Sequence, residues 1–199
     1  MSEIPAPVET VVRAKRIHLT CYQETDAPSL WELIARNHDR LIESFPILLS
    51  TVNDEASAGE FIRGLMSDFA ERKRYAFSIR KGDDNTIIGH CIIREIDWSV
   101  PKGELAYWID DGHEGKGYAR EAMEALLNIA FQTLEMKKLF LRALPQNRRS
   151  LDLAVKCGFS REGYLRDDFK TGTGVVSDIV YCGLTRKDFL ARSRLGGAA

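Results

Sequence analysis

A glycine-rich stretch joins an alternating run to the most strongly amphipathic segment of the chain, and that junction limits the fold more than any other feature. Asp110-Asp111-Gly112-His113-Glu114-Gly115-Lys116-Gly117-Tyr118-Ala119-Arg120 follows a short strand pattern over residues 104–109. Beyond it Ala119, Ala122, Met123, Leu126, Leu127, Ala130 and Leu134 recur at three and four residues, which predicts a helix of about four turns. A strand that turns through glycines into a helix presents free amides and the positive end of the helix dipole to a ligand. That arrangement suits an anion, most naturally a phosphate or pyrophosphate. Taken alone, Gly115 and Gly117 are equally compatible with a solvated turn. Spacing removes two phosphate loops: there is no GxxxxGK followed by Ser or Thr, and Arg120 stands where a dinucleotide fold needs its third glycine.

The rest of the chain alternates strand and helix patterns. Ile17, Leu19 and Cys21 alternate with Arg16, His18 and Thr20 as a first strand. Asp26 before Pro28 opens a helix carrying Leu30, Leu33, Ile34 and Leu41. A second helix after Asn53 or Asp54 carries Ala58, Phe61, Ile62, Leu65 and Phe69, with Phe45-Pro46 between the two. Tyr75, Phe77 and Ile79 run into the turn signal Gly82-Asp83-Asp84-Asn85, and 87–96 completes a hairpin. A strand over 138–144, a helix over 147–156 ended by Gly158, strands over 159–165 and 175–184, and a terminal helix over 186–194 follow. Without repeat or linker, one mixed α+β domain over residues 13–194 is expected, with flexible tails expected at 1–12 and 195–199.

Composition excludes more than it selects. Twenty-eight basic against 29 acidic residues argue against a general nucleic-acid binder, which presents a net basic surface to phosphates. No apolar stretch reaches the ~20 residues of a membrane span, and the first dozen residues lack a basic n-region and apolar h-region, so a cytoplasmic protein with no membrane partner is expected. Cys21, Cys91, Cys157 and Cys182 are widely separated, and the four histidines form no HExxH, so reduced thiols and no metal are expected.

The run Glu104-Leu-Ala-Tyr107-Trp108-Ile109, with Glu114-Gly-Lys-Gly-Tyr-Ala119-Arg-Glu-Ala, resembles the acyl-CoA-binding motif of GNAT N-acetyltransferases, in which Gln/Arg-x-x-Gly-x-Gly/Ala cradles the pyrophosphate. Asn147-Arg-Arg-Ser150 with the following Gly158-Phe159, and the late Asp178-Ile-Val180, resemble the RimJ/RimL type, which acetylates N-termini of ribosomal proteins. The resemblance covers about residues 13–190 and departs at Glu114, a carboxylate where the family has Gln or Arg, so that pairing with Lys116 or Arg120 is expected.

The resemblance implies a mixed, mostly antiparallel sheet flanked by helices, its central strands splayed, with acetyl-CoA as cosubstrate and no metal. Cofactor contacts would come from Gly115, Lys116, Gly117, Tyr118, Ala119, Arg120, Asn147 and Ser150, and from the main chain at Ile109 and Asp111, where an amide would polarise the thioester. It also implies direct acetyl transfer to a primary amine. Ser150 is the candidate acid for the departing thiolate, because the family's usual tyrosine position holds Ala154; a serine that only satisfies a helix-end amide is the alternative. Glu104 is the candidate general base or amine-orienting carboxylate. Trp31, Phe45, Tyr75 and Trp98 are candidates for an acceptor groove, and Asp26, Glu43, Asp97 and Asp168 for attracting a cation, with packed core and ordinary exposure as the alternatives. The expected acceptor is a protein N-terminal amine, as on a ribosomal protein; a small amine (polyamine, amino acid or aminoglycoside) or a non-catalytic acyl-CoA-binding module are the alternatives. A homodimer is common among similar enzymes.

Overall fold

The computed structural model describes residues 7–196. β1 (Val11–Arg13) and β2 (Ile17–Cys21) lead into α1 (Ala27–Arg36), α2 (His38–Leu41), α3 (Pro46–Thr51) and α4 (Glu55–Ala70). β3 (Tyr75–Lys81), β4 (Ile87–Asp97) and β5 (Lys102–Ile109) precede α5 (Tyr118–Asn128). β6 (Lys138–Ala143), α6 (Arg148–Cys157), β7 (Ser160–Lys170), β8 (Val176–Thr185) and α7 (Arg186–Gly196) complete the chain.

The eight strands form one open sheet in the order β1-β2-β3-β4-β5-β6-β8-β7, antiparallel throughout except between β5 and β6. The parallel pair is short. Lys102, Gly103 and Glu104 face Lys138, Leu139 and Phe140, and the strands then separate. Each stays paired on its outer side, β5 with β4 as far as Ile109↔Gly89 and β6 with β8 as far as Ala143↔Val180. A wedge therefore opens in the middle of the sheet, and this is the splayed α+β architecture expected.

Strand alternation sends side chains into two cores. Leu105, Ile109 and half-buried Tyr107 pack with Met123, Leu126 and Leu127 of α5, whereas Ala106 and Trp108 pack with Leu30 and Ile34 of α1 and Ile62 of α4. Local chemistry sets the helix starts. Asp54 and Ser57 cap α4 reciprocally, and Asn147 Oδ1 accepts the Ser150 amide at 3.1 Å to start α6.

Three features differ from the sequence reading. Val11 and Val12, assigned to the N-terminal tail, pair with Thr20 and Leu19 in β1; residues 1–6 and 197–199 of the two tails lie outside the described residues, and the terminal helix reaches Gly196. The first long helix breaks at Asn37 (φ −105°, ψ 8°), whose buried side chain binds outside the helix. Between α2 and α4, where only Phe45-Pro46 stood out, Pro46 opens the extra turn-and-a-half of α3. In addition, α5 ends in a π turn at Ile129–Thr133.

Candidate active site

The glycine loop leaves β5 and enters α5 through two left-handed glycines, Gly115 (φ +71°) and Gly117 (φ +85°), the second being the N-cap. Arg120 and Glu121 donate their amides back to the Gly117 carbonyl, but the amides of residues 115–119 donate to no group among the described residues. A Cβ at Gly115 would meet nothing within 4 Å, so the backbone is approachable there. Five open amides at a helix N-terminus fit a pyrophosphate. The guanidinium of Arg16, bound to Glu121 and lying over the Tyr118 ring at 4.8 Å, adds positive charge beside Gly117.

Upstream, a buried polar network fixes the loop. Asp110 accepts from Arg36 Nε (2.9 Å) and Asn37 Nδ2 (2.7 Å), and its other oxygen lies 2.9 Å from His113 Nδ1. Burial opposes ionisation of Asp110, but these hydrogen bonds and the Arg36 charge outweigh it and hold the carboxyl well below the usual carboxylate range. Asn37, 1% exposed, also accepts the Asp111 amide at 3.0 Å and Arg40 Nη1 at 2.9 Å. This corrects the expectation for Asp111: its N–H is consumed by Asn37 and is not an open oxyanion donor. Arg40 Nη1 also reaches the Ile109 carbonyl at 3.3 Å. The side chain of Ile109 packs in the core, leaving only its main chain toward the loop.

Glu114 does not pair as expected. Lys116 donates instead to the Gly112 carbonyl (2.7 Å), and Arg120 binds Glu124 (2.8 Å). The Glu114 carboxylate is held by Arg40 from α2 and Arg149 from α6. Two guanidiniums thus neutralise the carboxylate that stands near the anion site.

The wedge between β5 and β6 holds a cavity of about 320 Å³ whose walls include Glu104, Tyr107, Arg142, Asn147, Ser150 and Asp168. Glu104 is 2% exposed; Oε1 accepts from Arg142 Nε (2.9 Å), and Oε2 accepts from Arg142 Nη2 (2.9 Å) and Arg94 Nε (2.7 Å). Burial alone would raise its pKa, but the hydrogen bonds and charges of Arg142 and Arg94 lower it. A carboxylate with both oxygens taken and a lowered pKa is a poor proton acceptor, so the geometry speaks against Glu104 as general base. Asp168 lines the same cavity with no ion-pair partner among the described residues.

Ser150 lies in the first turn of α6, where Asn147 performs the capping, so the serine is not needed there. Its Oγ accepts instead from the Tyr107 hydroxyl at 3.3 Å. The tyrosine was missed as a candidate although it stands within the quoted motif; alternation along β5 sends it to the α6 side, opposite Glu104. Of the aromatic candidates only Phe45 reaches the cavity. Tyr75 and Trp31 pack in the cores, and Trp98 donates to the Arg72 carbonyl. Asp26 binds Arg80, Glu43 accepts from Thr173, and Asp97 caps Ser99, which leaves Asp168 of the four acidic candidates.

Comparisons with known proteins are consistent with this geometry. A family model described as an acetyltransferase (GNAT) domain matches residues 16–160. The ribosomal-protein-serine acetyltransferase of Escherichia coli strain K12 is 26% identical over 162 residues, 79% of this chain and 87% of its own. Spermidine N(1)-acetyltransferase of Vibrio cholerae is 29% identical over 126 residues, 63% of this chain and 70% of its own. The solved structure of RimJ from Mycobacterium smegmatis, in complex with CoA-disulfide, is similar in fold, with a TM-score of 0.80 at 17% identity over 94% of this chain and 95% of that one. The family match takes in both parted strands, the glycine loop and the Ser150 helix, and the chain belongs to the GNAT acetyltransferase family.

Proposed function

We propose that this N-acetyltransferase moves an acetyl group from acetyl-CoA directly onto a protein N-terminal α-amine. The observation that carries the choice of acceptor is Glu104, whose commitment to two arginines leaves, among the described residues, no buried carboxylate on the cavity wall free to deprotonate a strongly basic ammonium. An α-amine with a pKa of about 7.7–8.0 is roughly a tenth neutral at pH 7, whereas a lysine at about 10.4 is neutral in roughly one molecule in 2,500. The acceptor that asks least of a base suits this cleft best.

In this reading the amides of residues 115–119 hold the pyrophosphate, and Ser150 donates a hydrogen bond to the departing sulfur. Asp168 takes the proton that the nitrogen sheds on attack. The relative named for a ribosomal-protein serine supports an acceptor of that class, a flexible ribosomal-protein N-terminus. A polyamine is the second reading, favoured by the spermidine relative and by the Asp168 and Glu95 carboxylates on the cavity wall.

Thiol release from acetyl-CoA separates the two. Peptides with free Ser, Ala or Met N-termini should turn over faster than Nα-blocked lysine peptides and spermidine; turnover of spermidine alone overturns the N-terminal reading. Gly117→Asp places a carboxylate at a left-handed residue of the loop and should abolish acetyl-CoA binding by calorimetry.

A further inference from the structure

We propose that Tyr107 is a proton-relay residue acting through Ser150, replenishing the serine's proton as that proton passes to the departing sulfur. The inference rests on the reading of Ser150 as the acid. The Ser150 amide is satisfied by Asn147, and its Oγ accepts from Tyr107, so the serine's own hydrogen must point elsewhere. Tyr107 and Ser150 both line the cavity between β5 and β6, which gives that hydrogen somewhere to point. Ala154, one turn further along α6, is fully buried and carries no proton to donate.

A serine hydroxyl by itself is a weak acid, and full transfer from it would leave an alkoxide. A phenol behind it removes that obstacle. As the carbon–sulfur bond breaks, the Ser150 O–H breaks and an S–H forms, while the Tyr107 O–H breaks and a new Ser150 O–H forms. The electron pair ends on the Tyr107 phenolate, and water entering the cavity reprotonates it. Burial pushes the Tyr107 hydroxyl up to about 12, against a smaller lowering by Ser150, so the phenol holds its proton through the neutral range. The two residues come from different elements, strand β5 and helix α6, each fixed by its own pairing and packing. The 3.3 Å separation is short enough to tighten into a proton-transferring hydrogen bond when the sulfur polarises the serine.

The test is a double-mutant cycle with acetyl-CoA and the best acceptor of the peptide panel. Ser150→Ala should lower kcat by about 10²-fold and Tyr107→Phe by about tenfold, both with unchanged acetyl-CoA Kd, and the double variant should be no slower than Ser150→Ala. Additive losses, or a Tyr107→Phe enzyme at full kcat beside an impaired Ser150→Ala enzyme, overturn the relay and leave the serine acid standing. An unimpaired Ser150→Ala enzyme overturns both. With acetyl 4-nitrothiophenol, whose thiolate departs without a proton, the Tyr107→Phe loss should vanish; a persisting loss marks a packing role and overturns the relay. Should Tyr107→Phe fold poorly, difluorotyrosine at position 107 preserves the shape and lowers the phenol pKa. The alkaline limb of the kcat profile should then move to lower pH, and an unmoved limb overturns the proposal.

Discussion

Arg142 on β6 grips Glu104 on β5 through both carboxylate oxygens, Nε to Oε1 and Nη2 to Oε2 at 2.9 Å each, at the point where the two parallel strands part. The contact replaces the backbone pairing that ends there. Arg94 on β4 and Glu95, which accepts from Arg142 at 2.5 Å, extend it into a four-residue network. Glu104→Gln removes the buried negative charge and leaves two guanidiniums facing one another, a loss of about 3 kcal/mol by analogy with broken buried pairs. Urea unfolding measures it. An undiminished midpoint, together with a kcat that collapses and shifts its acid limb, would instead return Glu104 to the role of base.

The Glu114 carboxylate, shared between Arg40 and Arg149, predicts opposite effects from its two sides. Glu114→Gln releases two guanidiniums and removes a charge that repels an incoming pyrophosphate, so acetyl-CoA should bind several-fold more tightly. Arg149→Ala leaves the carboxylate less compensated and should weaken binding. Both shifts shrink as salt rises from about 0.05 M to about 0.5 M, because Arg149 is largely exposed and screening acts on it. Calorimetric titration at the two salt concentrations is the measurement, and equal signs for the two variants would sink the electrostatic account.

Periodicity made the parts of this fold legible, and sequence distance hid the partnerships between them. The glycine junction, the hairpin and α5 follow from residues that are neighbours in the chain. β1 is too short, at three residues, to show an alternation, and α3 rests on one proline and a single turn and a half. Glu104 looked like a base because nothing near it in sequence announces Arg142, which lies 38 residues on. Asn37 falls inside the run whose Leu30, Leu33, Ile34 and Leu41 predict one continuous helix, yet its side chain reaches Asp110 and the Asp111 amide where the helix breaks. Tyr107 and Ser150 meet only because β5 and α6 fold together.

His90 makes stability depend on pH. It is 6% exposed on β4, its Nδ1 lies 2.9 Å from the Tyr22 hydroxyl, and its ring stacks on Trp108. Burial, then the charges of Arg94 and Arg74, lower its pKa to about 3. The unfolded histidine, with a pKa of about 6.5, takes up a proton that the folded one refuses, so its contribution to stability is complete above about pH 6.5 and is lost as pH falls toward 3. The loss is about 1.4 kcal/mol per pH unit within that window, or about 2 kcal/mol between pH 7 and pH 5. His90→Gln keeps an acceptor for Tyr22 and removes the titration. Subtracting its unfolding free energy from that of the parent at each pH should give this slope, and a flat difference would exclude His90 as its source.

Gly172, in the turn between β7 and β8, donates its amide to the Ile42 carbonyl at 2.8 Å, and Thr173 Oγ1 reaches Glu43 at 3.2 Å. These contacts join two segments that line the cavity between β5 and β6, one carrying Ser44 and Phe45 and the other Asp168 and Phe169. A Cβ at Gly172 would lie 2.5 Å from the Ile42 carbonyl oxygen, a backbone atom that cannot swing aside. Gly172→Ala must therefore push the turn away and break the contact, at a cost of about 1–3 kcal/mol typical of overpacking. Because the glycine loop is on other elements, acetyl-CoA affinity should not change, whereas KM for a peptide acceptor should rise several-fold with the wall displaced. Steady-state kinetics against each substrate in turn decides the matter: a rise confined to acetyl-CoA would mean that this turn does not shape the acceptor side of the cleft.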